Sequence, residues 1–462
     1  MILLPIQGYN FERSKSLSQM TQNPPSSAVS IPSLPEVYRT IEIPKSGVWW
    51  KRFLAFLGPG YLLSVGYMDP GNWASDIAGG SKFRYTLLSV ILISNLMAIL
   101  LQSLCVRLGV ATGRDLAQAC RDYYSKPVSI ALWILCEIAI VACDLAELLG
   151  SALALNLLFG IPMAIGVCLT TADVLLLLWL QNKGFRYTEA IVVTLVATIA
   201  ICFGAQVLMS KPDWLGVAGG LVPTPQVLAN PEMLYIAMGI LGATVMPHNL
   251  YLHSSIVQTR AWHASEGDKH QAIKYATIDS SVALSLAFFV NAAILVVAAA
   301  TFHRVGRFDV GDIRDAYLLL SPLLGVSVAS TLFALALLAS GTASTLTATL
   351  AGQIVMEGFI HIRLPAWLRR LVTRLLALVP ALITIVYFGE SSTGSLLVLS
   401  QVVLSLQLSF AVIPLIIFTS DKARMGAFVN PKWLTSISWV VGIVIAALNG
   451  WLLIQTFSTV FL

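Results

Sequence analysis

Met68-Asp69-Pro70-Gly71-Asn72-Trp73 lies within an apolar stretch that begins near Phe53 and runs on through small and apolar residues to about Ile77. A carboxylate at membrane depth costs about 2.5–3.5 kcal/mol even on a lenient insertion scale, so it is ordinarily retained for a function. Pro70 has no N–H to donate, and Gly71 accepts backbone angles that other residues avoid. The helix is therefore expected to unwind beside Asp69. Unwound backbone is tolerated inside a bilayer only where its carbonyls line a cavity or meet a ligand.

The rest of the chain places this segment in a membrane. Of 462 residues, 57% are hydrophobic and 11% charged, with a mean hydropathy of +0.81. A soluble domain carries about 25% charged residues. The apolar runs are long, as in helices, rather than short and alternating, as in a β-barrel. An all-α polytopic membrane protein follows, and the net charge of +5 calls for no nucleic-acid partner. The cysteines form no CxxC pair and suggest neither a disulfide framework nor a zinc site. Residues 1–50, rich in Pro and Ser, read as a disordered cytosolic tail. The lack of an Asn-x-Ser/Thr sequon leans towards a bacterial protein of the plasma membrane.

Eleven spans are expected, near 53–77, 84–108, 128–158, 161–181, 187–209, 233–260, 278–301, 321–357, 368–388, 394–418 and 433–458. With the N-terminus in the cytoplasm, all but six of the 28 basic residues fall on the cytoplasmic side. The six are Lys82, Arg84, Lys211, Arg304, Arg307 and Arg314. This bias supports the orientation and puts the C-terminus outside. The sixth span also breaks, at Gly242-Ala243-Thr244-Val245-Met246-Pro247-His248. Spans one and six hold matching places in two sets of five. Interrupted helices so placed point to an inverted-repeat transporter with a site at the midplane. The expected units are a tail (1–50), a first five-helix repeat (51–210), a second, inverted repeat (211–420) and an added eleventh helix (421–462).

The two breaks offer a carboxylate (Asp69), an amide oxygen (Asn72), free carbonyls near Ala243 and a thioether (Met246). Calcium and magnesium take oxygen donors alone, whereas a thioether suits softer transition metals. With Met246 beside Pro247 in a broken helix, the set favours Mn²⁺, Fe²⁺, Co²⁺ or Cd²⁺. Glu137, Asp144 and Glu147, spaced by seven and three, share one stripe of span three and have the form of a proton relay. Arg369 and Arg370, at the start of span nine, are either partners of that file or interface anchors. His248 and His253, five apart, face different ways and are not expected to chelate one ion together. His248, beside the break, is the better candidate for coupling to pH, while His253 is either a further member of the proton route or a buried hydrogen-bonded residue. Gln401 and Gln407 in span ten offer an amide oxygen or an interhelical hydrogen bond. The polar run Ser340–Thr349 reads as helix packing.

Asp69-Pro70-Gly71-Asn72 together with Ala243-Thr244-Val245-Met246-Pro247-His248 resembles the Nramp family of divalent-metal transporters. Gly113-Arg114-Asp115-Leu116-Ala117-Gln118, Asp144-Leu145-Ala146-Glu147, Leu350 to Gly358 and Ser400 to Ser405 look like further signatures, so the resemblance extends over roughly 50–460. It is strongest to bacterial proton-coupled manganese importers. The resemblance implies a LeuT-type 5+5 fold and symport of Mn²⁺ with protons. It implies Asp69, Asn72, the Ala243 carbonyl and Met246 as metal ligands, joined by Gln401 in some states. It also implies Asp69, His248, Glu137, Asp144, Glu147, Arg369 and Arg370 in the proton route and its gating. Ser409 stands where proline is usual, and Thr342-Ala343 where Gln-Ser is expected.

The expectation is thus a monomeric, non-enzymatic symporter with metal ions and protons as substrates, the bilayer as its surroundings and no resident cofactor. An amino-acid symporter of the same fold is the first alternative. It fares worse because Asp69 would repel a substrate carboxylate. An intramembrane metalloprotease built on His248 and His253 lacks the His-Glu-x-x-His spacing. An ion channel would not need paired broken helices.

Overall fold

The computed structural model describes residues 32–34, 38–43, 49–170, 185–262, 265–360, 365–388 and 393–461. After a short α1 (Trp49–Phe56), the first span is two helices, α2 (Pro59–Gly66) and α3 (Pro70–Phe83), separated by Tyr67–Asp69. Next come α4 (Leu88–Thr112), α5 (Leu116–Tyr123), α6 (Lys126–Phe159), α7 (Met163–Thr170), α8 (Phe185–Ser210) and the short α9 (Trp214–Gly220). The second half opens with another divided span, α10 (Pro231–Thr244) and α11 (Pro247–Ile256). It continues with α12 (Glu266–Thr301), α13 (Ile313–Leu324), α14 (Val328–Ile360), α15 (Ala366–Phe388) and α16 (Thr393–Ser420), and α17 (Lys432–Phe461) follows.

Proline sets these boundaries. Each of the four half-helices α2, α3, α10 and α11 carries proline at its first turn, where its fixed φ is ready-made and its missing N–H costs nothing. Asp69 caps α3 by accepting from the Asn72 N–H at 2.8 Å, and Asn230 caps α10 by accepting from Glu232 and Met233. Among the described residues, eight helices are long and apolar enough to cross a membrane. One expected boundary moves. The eighth span begins at Val328, because Gly325, at φ 69°, ends a separate helix, α13, before it. Only the start of the fourth, α7, lies within the described residues.

Burial separates centre from rim. The most apolar window of Pro231–Thr259 is 94% buried, whereas those of α8 and α17 are 33% buried. The second divided span is therefore the middle of the molecule, and α8 and α17 turn apolar side chains such as Ile201 and Ile443 outward, as lipid-facing helices do. α6 packs on α14, α15 and α16, and α12 packs on α2, α3 and α4. The two divided spans touch each other and share α16 as a neighbour.

The expected disordered tail is partly ordered. Ile41–Glu42 (β1) pairs in parallel with Arg260–Ala261 (β2), just after α11. The Arg39 N–H donates to the Gln258 carbonyl at 3.0 Å, and the Leu34 N–H donates to Glu357 at 3.2 Å. Leu34 is buried in the main apolar core. A short strap thus joins the end of α11 to the end of α14. Composition missed it because the strap's partners lie more than 200 residues away. Leu34→Ala is expected to cost about 2 kcal/mol, the low end for a buried leucine. The exposed Leu54→Ala should change little. Thermal unfolding in detergent measures both.

Candidate metal site and acid file

The site begins with two missing hydrogen bonds. In a helix the carbonyl of residue i accepts from the N–H of residue i+4. Pro70 and Pro247 have none to give, so the Gly66 and Ala243 carbonyls lose their helical donors. The intervening residues are held from the side. Asn72 and Asn291 donate from their amides to the Tyr67 carbonyl, the latter at 2.8 Å. Trp73 and Ser340 donate to the Met68 carbonyl at 3.1 and 2.5 Å. The stretch at 67–69 is thereby fixed rather than loose.

Gln401, on α16, stands against both breaks. Its Nε2 donates to Asp69 Oδ2 at 3.4 Å and to Ser400 Oγ at 3.2 Å. A Cβ placed on Gly71 would come within 1.7 Å of that same Nε2, and one on Gly242 within 2.0 Å of the Gln401 carbonyl. Asp69, Gly71 and Gly242 therefore converge on one residue. Asp69, Asn72, Ala243, Met246 and Gln401 are all buried. Asn72 Oδ1 and Gln401 Oε1 have no hydrogen-bond partner within the protein, so both oxygens are open to a water or a ligand. Met246 packs in a small cluster with Ala139, Cys143, Ala348 and Leu404, drawn from α6, α14 and α16. Among the described residues no three His, Cys, Asp or Glu side chains gather as a metal cluster. The donors present at the breaks are one carboxylate, amides, backbone oxygen and sulfur.

The acid file lies on α6. Asp144 and Glu147 are fully buried, while Glu137 is half-buried and accepts from Trp133 Nε1 at 2.9 Å. Glu147 accepts from Thr345 Oγ1 at 3.2 Å and faces Arg374 at 3.5 Å. Arg374 also donates to Thr345 Oγ1 at 2.6 Å and to the Asp144 carbonyl at 3.3 Å. The side chains of Arg369 and Arg370 lie outside the described residues, so their expected pairing stays an expectation. Sequence reading missed Arg374, having grouped it with the cytoplasmic anchors, although it is 1% exposed. The available signal was its position inside the apolar run Leu371–Tyr387. Arg260, grouped likewise, is also buried and pairs with Glu189 at 2.7 Å. Nor is the run Ser340–Thr349 simple packing, because Ser340 holds the first break and Thr345 holds Glu147.

His248 is buried beside the second break, and its Nδ1 has no partner. His253 Nδ1 lies 3.0 Å from Gln102 Oε1, and Gln102 donates from Nε2 to the Tyr67 hydroxyl at 2.8 Å. That chain leads back to the first break by a route absent from the sequence reading.

Comparison with known proteins gives this arrangement a context. The family model described as natural resistance-associated macrophage protein-like (Nramp) matches residues 60–455. A Nostoc protein named divalent metal cation transporter MntH is 70% identical over 425 residues, which cover 92% of this chain and 96% of that one. A protein of the same name from Listeria welshimeri is 58% identical over 448 residues, covering 97% and 98%. Among solved structures, the Eremococcus coleocola manganese transporter superposes with a TM-score of 0.83 at 41% identity, covering 90% of each chain. Mhp1, a nucleobase-cation-symport-1 family transporter, superposes at 0.57 with 15% identity, covering 87% of this chain and 93% of its own. That likeness concerns the fold alone, a LeuT-type arrangement of two five-helix units.

Two outcomes are expected of the site's packing. Gly242→Ala should lower thermal stability in detergent more than Gly71→Ala. The first meets backbone at Gln401 and Ser405, the second the end of a flexible side chain. Arg374→Leu should destabilise the protein by about 3–5 kcal/mol by stranding buried Glu147. Adding Glu147→Gln should recover part of that loss in the same thermal assay.

Proposed function

The chain belongs to the Nramp family of membrane metal transporters, and from that membership we propose that it is a proton-coupled symporter importing divalent transition metal ions, Mn²⁺ first among them, into the cytoplasm. It transports divalent metal cations and is not an enzyme, so the peptidase and amino-acid alternatives fall away. The observation that carries the finer reading is the meeting of both helix breaks on Gln401.

In this reading Asp69, Asn72, the Ala243 carbonyl and Met246 bind the ion. Gln401 Nε2 occupies Asp69 Oδ2 before it arrives. As the ion takes that oxygen, rotation of the Gln401 amide replaces a donor with an acceptor and adds a ligand. Asp69 and the orphaned carbonyl suit any hard cation, whereas the sulfur of Met246 favours a transition metal over Ca²⁺ and Mg²⁺. Co²⁺, Cd²⁺ and Fe²⁺ share that chemistry and are accepted as well.

A divalent ion and a proton cannot both be held on Asp69 without cost, since each neutralises the same buried charge. Metal binding therefore expels the proton, and in this reading the acids of α6 take it on. Arg374 keeps Glu147 oriented, and Asp144, Glu137, Arg369 and Arg370 continue the route. His248, beside the second break, and His253, through Gln102, tie pH to the geometry of the breaks. One divalent ion and one proton moving inward carry three charges, worth roughly 7 kcal/mol at 100 mV. The N-terminus lies in the cytoplasm and the C-terminus outside, in the plasma membrane of a bacterium, with the monomer as the working unit.

Proteoliposomes loaded with a pH dye test this directly. Asp69→Ala should reduce Mn²⁺ uptake to the protein-free background. Met246→Ala should keep Mn²⁺ uptake while admitting Ca²⁺ and Mg²⁺. If both variants behave like the wild type, the ligand assignment is wrong. Glu147→Gln should still bind Mn²⁺ but fail to acidify the lumen, and normal acidification would remove the α6 route.

A further inference from the structure

Three of the six basic residues that the charge bias leaves on the outer face come together. Arg84, Lys211 and Arg304 line one cavity of about 370 Å³ with Tyr85, Asp213 and His303. They stand just past the ends of α3, α8 and α12, so three spans terminate at this point in cations. The local negative charge is already committed. Asp213 accepts from Arg84 at 2.9 Å through one oxygen and caps α9 at Gly216 through the other. Among the described residues, Lys211 and Arg304 have no carboxylate within 4 Å. By contrast, Lys82 pairs with Glu232 and Arg307 with Asp309.

The backbone and surroundings add two independent observations. Arg84 and Lys211, at φ 55° and 46°, are two of only four non-glycine residues with positive φ among the described residues. Strain of this kind persists where the structure enforces it, commonly at binding sites. Beside the cavity the chain turns apolar groups outward. Leu208 precedes Lys211 by three residues, and Trp214 and Leu215, 62% and 85% exposed, follow Asp213 directly. An exposed tryptophan at a span end marks the level of the lipid headgroups. Cations at that level, above side chains suited to acyl tails, match a phosphate attached to a lipid.

We propose that this cavity binds the phosphate of an acidic phospholipid headgroup, with Lys211 and Arg304 as its principal contacts and Arg84, held by Asp213, as a third. The site is separate from the metal site and does not depend on the metal reading. It needs only that the ends of α3, α8 and α12 lie at a membrane surface.

Binding is measured by native mass spectrometry of the full-length protein, titrated with dioleoyl phosphatidylglycerol, with dioleoyl phosphatidylcholine as the neutral control. Wild-type protein should retain phosphatidylglycerol in preference to phosphatidylcholine. Lys211→Gln and Arg304→Gln should each weaken it about fivefold, from about 1 kcal/mol per basic residue at an anionic surface. Both side chains are exposed, so the variants should unfold at the wild-type temperature. Arg307→Gln, whose partner is Asp309, should leave binding unchanged. Wild-type lipid retention by the double variant overturns the proposal. So does displacement of the lipid by excess inorganic phosphate, which would identify a site for a free anion.

Discussion

A peptide group inside a bilayer must find its hydrogen bonds within the protein, and two prolines withhold the helical donor from two carbonyls. Pro70 and Pro247 start new helices where old ones would have continued, leaving Gly66 and Ala243 without their donors. Much of the centre of the molecule is organised around those gaps. Asn72, Asn291, Trp73 and Ser340 all donate to the two carbonyls between Gly66 and Asp69. They pin the first break, and Asp69 caps α3 from it; in the proposed reading the same side chain is a ligand. A carboxylate whose own backbone is rigid keeps its place when an ion arrives, and little binding energy is lost to ordering.

The acid file answers a different requirement. Glu147 and Arg374 are both out of water, and an isolated charge at that depth would be untenable. Thr345 accepts from Arg374 and donates to Glu147, so the pair is joined by a hydroxyl as well as by charge.

What the amino-acid sequence revealed depended on how far apart the participants lie along the chain. Asp69-Pro70-Gly71-Asn72 and Ala243 to His248 are legible because each break is written in consecutive residues. The fold class followed from their matching places in two halves. Arg374 and Ser340 were misread because their roles depend on which way a helix is rotated in the bundle, and the strap at Leu34 because its partners lie more than 200 residues away. Arg374 and an anchoring arginine look alike until α15 is seen lying on α6. The same holds for Gln102, whose link between His253 and Tyr67 joins two helices to the first break. Gln401 was one of two glutamines until the family resemblance singled it out, and its contacts with Gly71 and Gly242 are what the fold adds.

Those contacts set a mechanical tolerance. With hydrogen alone at positions 71 and 242, α16 sits closer to both breaks than one methyl group would allow. Its side chain and its backbone are each used as a spacer, one against each half of the fold. A displacement of α16 by the width of a carbon atom would uncouple the halves at the single residue where both are gauged. The relative position of the two breaks is thus gauged by one glutamine, the same one that meets Asp69.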